Sequence, residues 1–195
     1  MGGHALVQRI CVFCGSLSGK DPRYAAAAAE VGTLLAERGI GIVYGGGQVG
    51  LMGVVADAAM RAGGEVVGVI PKHLMRAELA HHDLTQLHVV ADMHERKATM
   101  ARLSDGFVAL PGGAGTMEEL FEVWTWAQLG IHAKPVGLLD VRGYYSKMAE
   151  FLDHMVAEGF LGEPSRDLVT VTDDPEALLD AFARHTYTPV DKWAG

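Results

Sequence analysis

The sequence has 195 residues, of which 49% are hydrophobic and 21% are charged, and this composition is typical of a globular protein with a sizeable core. The formal net charge is −8 and there is no block of basic residues, which argues against a nucleic-acid partner. An anionic ligand would have to be bound locally, by backbone amides and a few Arg or Lys residues, because the overall field repels it.

Short apolar segments alternate with longer helical segments along the chain. The first helix carries clear boundary signals, since Asp21 suits the N-cap, Pro22 the first helical position and Gly39 the end. We predict strands at residues 9–15, 40–47, 65–70, 87–91, 106–110, 135–140 and 168–172. We predict helices at residues 21–39, 48–64, 93–104, 116–130, 143–159 and 174–185, followed by a tail, 186–195, without periodicity.

This alternation predicts an α/β fold, with a mostly parallel sheet that helices cover on both faces. The segments 65–70 and 106–110 are apolar without alternation, as strands buried on both faces are. No repeat, linker or change in composition divides the chain, so we expect one domain over residues 1–195. Ligands of such folds bind at the carboxyl ends of the strands near a topological switch point.

Cys11 and Cys14 form a C-x-x-C pattern, but its position argues against a redox pair. These cysteines lie in an apolar strand, where residues three apart point to opposite faces. Free thiols are typical of the reducing cytoplasm, which we expect as the location. The N-terminus lacks the pattern of a signal peptide, and no apolar stretch reaches the roughly 18 residues of a membrane span.

Two glycine-rich segments resemble nucleotide-binding motifs without matching them. Residues 45–50, GGGQVG, fit G-x-G-x-x-G, but the next strand ends without the acid that would hold a dinucleotide ribose. A tight turn and a mononucleotide or sugar-phosphate site both stay open as interpretations. Residues 15–20, GSLSGK, have one residue too few between the glycines for a P-loop, so ATP hydrolysis is not expected.

The segment 111–120, PGGAGTMEEL, is the most specific motif in the chain. Its glycines let backbone amides approach a ligand, and the start of a helix attracts an anion such as phosphate. We expect Thr116 to cap this helix and to donate to the phosphate. The adjacent Glu118 and Glu119 either offset the helix macrodipole or place a carboxylate at the bond to be broken. Helical spacing puts Glu118, Glu122 and Thr125 on one face.

Arg96 lies on the helix before this motif, on a mainly apolar face with Met100 and Leu103. One interpretation is that its stem covers the core while the guanidinium reaches solvent. The other is a guanidinium fixed at the strand ends, where it would bind phosphate or carboxylate. The spacing alone leaves both open.

The nine histidines include one close cluster, His81 and His82 with Asp83, in a predicted loop. Adjacent histidines chelate poorly without further ligands of fixed geometry, so we interpret the cluster as a solvated loop and expect no metal. The chain has neither H-E-x-x-H nor the G-x-S-x-G signature of a serine hydrolase.

Three segments together resemble the LONELY GUY family: CGSLSGKDPRY, YGGGQVGLMG, and the run from DMHERK through PGGAGTMEEL to KPVGLL. The joint signature of P-G-G-x-G-T-x-x-E, the upstream Arg-Lys pair and Y-G-G-G carries the resemblance, which covers about residues 9–163. Members of this family are cytokinin riboside 5′-monophosphate phosphoribohydrolases, although they have often been labelled lysine decarboxylases. No cofactor-binding lysine signature is visible here, and residues 164–195 carry no motif.

The resemblance implies a Rossmann-like, nucleotide-binding domain and a homodimer with the site near the subunit interface, and we expect no cofactor. It implies hydrolysis of the N-glycosidic bond of an N6-modified adenosine monophosphate, which yields a free base and ribose 5-phosphate. The family's catalytic residues fall on Arg96 and Glu119. The substrate contacts that it implies are Glu78, Arg96, Lys97, Gly113, Ala114, Gly115, Thr116, Met117, Glu118, Glu119 and Thr125. The match is weaker over residues 77–88, which include Glu78.

These residues suit the chemistry, because breaking a ribosyl–base bond develops positive charge on the sugar. We expect Glu119 to stabilise that charge or to activate water, with Glu118 bonded to the ribose. Arg96 keeps its proton, so we expect it to hold the phosphoribosyl group and to orient Glu119. The phosphate would bind to Lys97 and the amides of residues 113–116. Further candidates for phosphate or ribose contacts are Gly15, Ser16, Gly46 and Gly47.

Two alternative functions stay open. One is a hydrolase of ordinary purine nucleoside monophosphates that serves salvage, since the base pocket is not legible in the sequence. The other is a non-catalytic carrier of a nucleotide or of the molybdenum cofactor on the same fold. Such a carrier needs the glycines but not Arg96 and Glu119 together, so their joint presence favours the enzyme.

Overall fold

The structure is a computed structural model, and it describes residues 7–189. Its strands are β1 Arg9–Phe13, β2 Gly41–Tyr44, β3 Val66–Pro71, β4 Gln86–Val90, β5 Gly106–Ala109, β6 Val136–Leu139 and β7 Val169–Thr172. Its helices are α1 Pro22–Glu37, α2 Gly50–Arg61, α3 Met93–Leu103, α4 Ala114–Gln128, α5 Ser146–Ala157, α6 Glu163–Arg166 and α7 Pro175–Ala183. Single turns of 3₁₀ helix lie at Lys72–Leu74 and Val141–Gly143. The predictions for residues 1–6 and 190–195 lie outside the described residues.

The seven strands form one parallel sheet in the order β4-β3-β2-β1-β5-β6-β7. The chain builds outwards from β1 to β4 and then returns to place β5 against the other side of β1. The topological switch point therefore lies between β1 and β5, whose carboxyl ends pair through Phe13 and Ala109. This is where a ligand is expected in an open α/β sheet.

Helices cover both faces of the sheet, as the sequence predicts. Helices α1, α2 and α7 pack on one face, in a core that includes Ile10 and Cys14 of the first strand and its exit. Helices α3, α4 and α5 pack on the other face, with Cys11 and Phe13. The two cysteines are thus buried, free and on opposite sides, which confirms that they do not form a redox pair.

Helix boundaries differ from the predictions where local turns intervene. Helix α4 begins at Ala114 with Gly113 as its N-cap, so the expectation that Thr116 caps the helix is wrong. Helix α5 begins at Ser146 because Arg142 and Gly143 take left-handed φ values of 57° and 72°. The sequence did not indicate α6, which has four residues and is too short to show periodicity. No helix within residues 7–189 is long and apolar enough to span a membrane.

Candidate active site

A cavity of about 260 Å³ opens at the switch point, between the exits of β1 and β5 and the start of α4. Its polar lining consists of the α4 N-terminus, one arginine, three glutamates and a serine, and the remainder is mainly apolar. The lining residues are Val12, Phe13, Cys14, Ser16, Gly45, Met52, Leu74, Glu78, Met93, Arg96, Met100, Gly113, Ala114, Gly115, Thr116, Glu118 and Glu119.

The N-terminus of α4 presents unpaired amides to this cavity. The first backbone bond of the helix runs from Met117 N to the carbonyl oxygen of Gly113, at 3.2 Å. The amides of Ala114, Gly115 and Thr116 therefore have no partner within the helix, and no side chain caps them. Because the helix dipole also favours negative charge here, the arrangement suits a phosphate.

Thr116 has a structural role against Gly112 instead of the expected cap. Its side chain is buried, and a Cβ placed on Gly112 would lie 2.1 Å from the Thr116 hydroxyl oxygen. Only glycine fits at position 112, which explains one glycine of the motif. A Cβ on Gly113 or Gly115 would meet nothing within 4 Å, so these two glycines leave open space around the amides.

Arg96 is fixed inside the protein, which rules out a guanidinium that extends to solvent. It is only 4% exposed. Its Nε donates to the carbonyl of Val69 at 3.1 Å, and its Nη2 donates to the carbonyl of Gly45 at 2.9 Å and to Glu78 at 3.0 Å. Among the described residues the only hydrogen-bond partner of Nη1 is the sulfur of Met93, at 3.7 Å, so its two N–H groups are largely available.

Glu119 lies on the wall of the same cavity, one helix away from Arg96. Burial raises its pKa from the ordinary 4.5 to about 7, because it penalises the charged form. The carboxylates of Glu118 and Glu78 raise the pKa further, while Arg96 and Lys97 oppose the shift. A partly buried carboxyl that titrates near neutral pH, next to a fixed guanidinium, is typical of an acid–base catalyst.

Lys97 is buried and pairs with two carboxylates of α4. Its ammonium group donates to Glu118 at 2.5 Å and to Glu122 at 3.2 Å. Burial lowers the pKa of Lys97, but the two carboxylates outweigh this effect and the net shift is upward. Lys97 is not among the described residues that line the cavity, so in this chain it holds Glu118 in place.

The remaining candidates from the sequence divide into two groups. Ser16 is exposed and lines the cavity, and Gly15 supports it by donating to the carbonyl of Pro111 at 3.0 Å. Met117 is partly buried against the core, and Thr125 is exposed on α4, outside the described lining of the cavity.

Gly46 and Gly47 lie beneath the loop that carries Glu78. The carbonyl of Gly46 accepts from His81 N, and Gly47 forms a bridge with Ala80. Gly46 has a φ of 76°, so this part of GGGQVG forms a tight turn. Neither glycine lines the cavity among the described residues, whereas the preceding Gly45 does.

The interpretation of His81 as part of a solvated loop is wrong. Its side chain is 2% exposed, and its Nε2 lies 2.9 Å from the Asp57 carboxylate. This pair anchors the loop of Glu78 on α2. Within residues 7–189 there is no group of three or more His, Cys, Asp or Glu side chains that could hold a metal ion.

The sequence analysis missed part of the apolar lining of the cavity, namely Leu74, Met93 and Met100. The signal was present for α3, because Met93, Arg96 and Met100 recur at helical spacing and share a face. Leu74 comes from the 3₁₀ turn after β3, where no periodicity indicates its direction.

Comparisons with known proteins identify relatives of this chain. A family model described as "Possible lysine decarboxylase" matches residues 52–182. Cytokinin riboside 5′-monophosphate phosphoribohydrolase LOG7 from Arabidopsis thaliana is 54% identical over 172 residues, which cover 88% of this chain and 79% of the relative. LOG4 from the same plant is 56% identical over 178 residues, with 91% and 83% covered. LOG1 is 52% identical over 182 residues, with 91% and 85% covered.

Among solved structures, the molybdenum cofactor carrier protein from Chlamydomonas reinhardtii has a TM-score of 0.66 and 23% identity, covering 90% of this chain and 96% of that one. The molybdenum cofactor binding protein from Rippkaea orientalis has the same TM-score and 21% identity, with the same coverage. At these identities the likeness establishes the fold alone. The sequence relatives go further, and they show that this chain belongs to the LONELY GUY family of cytokinin riboside 5′-monophosphate phosphoribohydrolases.

Proposed function

We propose that this protein hydrolyses the N-glycosidic bond of an N6-modified adenosine 5′-monophosphate and releases the free base and ribose 5-phosphate. The observation that carries the proposal is the convergence of Arg96 and Glu119 on one cavity beside the open start of α4. The relatives that bear this activity in their names are more than half identical to the chain, which supports the same conclusion.

The cavity offers a separate place for each part of such a nucleotide. The amides of residues 114–116 bind the 5′-phosphate, which compensates for the negative net charge of the protein. The glutamates and Nη1 of Arg96 face the ribose. The apolar wall of Leu74, Met93 and Met100 accepts the flat base, since stacking against thioether and alkyl groups buries its faces.

In the reaction, the oxygen of water bonds to the anomeric carbon while the bond from that carbon to the base nitrogen breaks. The base nitrogen keeps the electron pair and takes up a proton from solvent, and Glu119 later returns to solvent the proton that it accepts from the attacking water. Glu119 in its ionised form stabilises the positive charge that develops on the sugar and accepts the proton of the attacking water. A pKa of about 7 suits this role, because the carboxylate is both present and basic at neutral pH.

The neighbours of Glu119 position it and the substrate. Arg96 cannot act as an acid at working pH, so it orients the Glu119 carboxylate and binds the phosphoribosyl group through Nη1. Glu118, which Lys97 holds, accepts hydrogen bonds from the ribose hydroxyls. The expected direct contact of Lys97 with the phosphate stays a prediction. In the structure the ammonium group of Lys97 is paired with two carboxylates.

We further propose that one nucleotide-binding domain forms the site and that the protein acts as a cytoplasmic homodimer. The family resemblance assigns Thr125 to substrate binding, but Thr125 is exposed and lies outside the cavity lining of this chain. A substrate contact at Thr125 would therefore come from the site of a second subunit, which supports a dimer. Leu129 and Ile131 lie just beyond the C-terminal end of the same helix, and these apolar side chains are 50% and 64% exposed. Sedimentation equilibrium tests the dimer, and a monomer at micromolar concentration would contradict it.

The test of the activity is a direct assay of base release. Purified protein is mixed with AMP or with isopentenyladenosine 5′-monophosphate, and the free base is followed by chromatography. We expect base from at least one nucleotide, and the ratio of the two kcat/KM values separates a cytokinin-releasing enzyme from a general purine one. No base from either nucleotide at high enzyme concentration would refute the proposal.

A further inference from the structure

Three consecutive carbonyls of the glycine-rich loop each have a partner from outside the loop. The carbonyl of Leu110 accepts from the Tyr145 hydroxyl at 2.6 Å, and the carbonyl of Pro111 accepts from Gly15 N at 3.0 Å. The carbonyl of Gly112 accepts from the Tyr144 hydroxyl at 2.5 Å. The two tyrosines follow β6, and neither belongs to the residues that the family resemblance assigned to the site.

The peptide between Gly112 and Gly113 is the part of this loop that most needs an external partner. Both flanking residues lack a Cβ, so its torsion angles are less restricted than those of any other residue pair. Gly113 has open space around it, since a Cβ there would meet nothing within 4 Å. Packing against Thr116 holds the Gly112 side of this peptide but leaves the Gly113 side open, so the hydrogen bond to the carbonyl is an added restraint on its orientation.

The orientation of this carbonyl also sets the direction of an amide. No peptide bond in the described residues is cis. In a trans peptide the C=O and N–H groups point in opposite directions, so a carbonyl bonded to Tyr144 turns the Gly113 N–H away from that tyrosine. Gly113 lies between two cavities, one lined by Tyr144 and the other lined by Arg96 and Glu119.

We propose that Tyr144 is a positioning residue, which fixes the Gly112–Gly113 peptide so that the Gly113 amide joins the amides of α4 in binding the substrate phosphate. This inference rests on the proposed function, because it needs a phosphorylated ligand in the cavity. Tyr144 would touch no substrate, and it lies after β6, outside the glycine-rich loop that it positions.

The surroundings of Tyr144 hold its ring in place. Tyr24 meets it edge to face, with 5.7 Å between ring centroids and 77° between planes. The preceding Arg142 forms an ion pair with Asp21, the N-cap of α1. Asp140 fixes the start of the segment by accepting from the backbone of Tyr145 and from the Ser146 hydroxyl. The hydroxyl of Tyr144 can thus be removed without loss of the ring packing.

The test is Tyr144→Phe, with Tyr24→Phe as the matched control. Both changes remove one hydroxyl from the wall of the same cavity, but among the described residues only that of Tyr144 bonds to the loop. Calorimetry measures the affinity for ribose 5-phosphate, AMP and adenosine. We expect Tyr144→Phe to weaken binding of the two phosphorylated ligands about tenfold and to leave adenosine unchanged. Tyr24→Phe should leave all three affinities unchanged.

Unchanged affinity for ribose 5-phosphate, or an equal loss for AMP and adenosine, would overturn the proposal. A melting temperature within about 2 °C of the wild type is expected for Tyr144→Phe, because Tyr144 is 43% exposed. A structural role alone would lower stability and not phosphate affinity. Calorimetry needs no turnover. If the wild type releases no base, the proposed function is refuted. If Tyr144→Phe nevertheless binds only the phosphorylated ligands more weakly than the wild type, the role of Tyr144 stands.

Discussion

Arg96 of α3 and Glu119 of α4 line the same cavity, and the positive charge of the first opposes the rise in pKa that burial imposes on the second. Strand β5 and the glycine-rich loop separate them along the chain. The parallel sheet brings them together, because α3 leads into β5 and α4 leaves it at the switch point. The pair is the proposed chemical centre of the site, and the first four predictions address it.

Glu119→Gln should lose most of its turnover, with kcat lower by about 10²- to 10⁴-fold, because the amide can neither accept a proton nor stabilise the charged sugar. Nucleotide binding should remain, since the amides of α4 are untouched. Base release and calorimetry with AMP measure the two effects. Glu122→Gln, on the same helix but outside the described lining of the cavity, is the control. A Glu119→Gln variant with wild-type turnover would contradict the assigned role.

The pH dependence of activity should follow the ionisation of Glu119. With a pKa of about 7, kcat/KM should fall about tenfold per unit of pH below that value, because only the carboxylate is active. The profile of product release between about pH 5 and pH 8 checks this. A rate that stays level down to about pH 5 would mean that the group titrates at its ordinary value.

Glu119 should also make the folded state less stable as pH rises. Its folded pKa lies above the ordinary 4.5, so between 4.5 and about 7 the native state binds more protons than the unfolded state. The free energy of unfolding therefore decreases with rising pH across this window. Glu119→Gln removes this effect, and its melting temperature should exceed that of the wild type by a few degrees at about pH 8 but not at about pH 4.

Arg96→Lys should impair both catalysis and stability. An ammonium group cannot reproduce the bonds to the carbonyls of Gly45 and Val69 and to Glu78 at once. Leaving these groups unpaired should cost about 1–3 kcal/mol of unfolding free energy, and kcat/KM should fall at least about tenfold. Arg9→Lys is the control, since its pair with Glu65 is half exposed and of little value. Urea unfolding measures the stability and the base-release assay measures kcat/KM. Equal effects in Arg96→Lys and Arg9→Lys would contradict the prediction.

Gly112→Ala should disrupt the anion site. The added Cβ would lie 2.1 Å from the hydroxyl of Thr116, so the loop or the start of α4 must shift. We expect affinity for ribose 5-phosphate to fall about tenfold or more. Gly162→Ala is the control, because its Cβ would make only an ordinary contact, 3.7 Å from Pro164. Unchanged binding by Gly112→Ala would show that the loop tolerates a side chain.

The sequence by itself determined the α/β class, the elements and the glycine-rich start of α4, because these depend on local periodicity and on residues that favour turns. Asp21, Pro22 and Gly39 bounded α1 to within two residues, since capping acts between near neighbours. The family motif further indicated Arg96 and Glu119 as a pair. Local signals are readable without the fold because their partners lie a few residues away.

Only the tertiary structure decided which way the charged side chains point. It buried Arg96, raised the pKa of Glu119 and directed Lys97 to Glu118 and Glu122. It also brought Tyr144 to the carbonyl of Gly112, 32 residues away along the chain. These relationships depend on the packing of whole helices against the sheet, and the resulting burial and distances set the electrostatic energies that no spacing along the chain records.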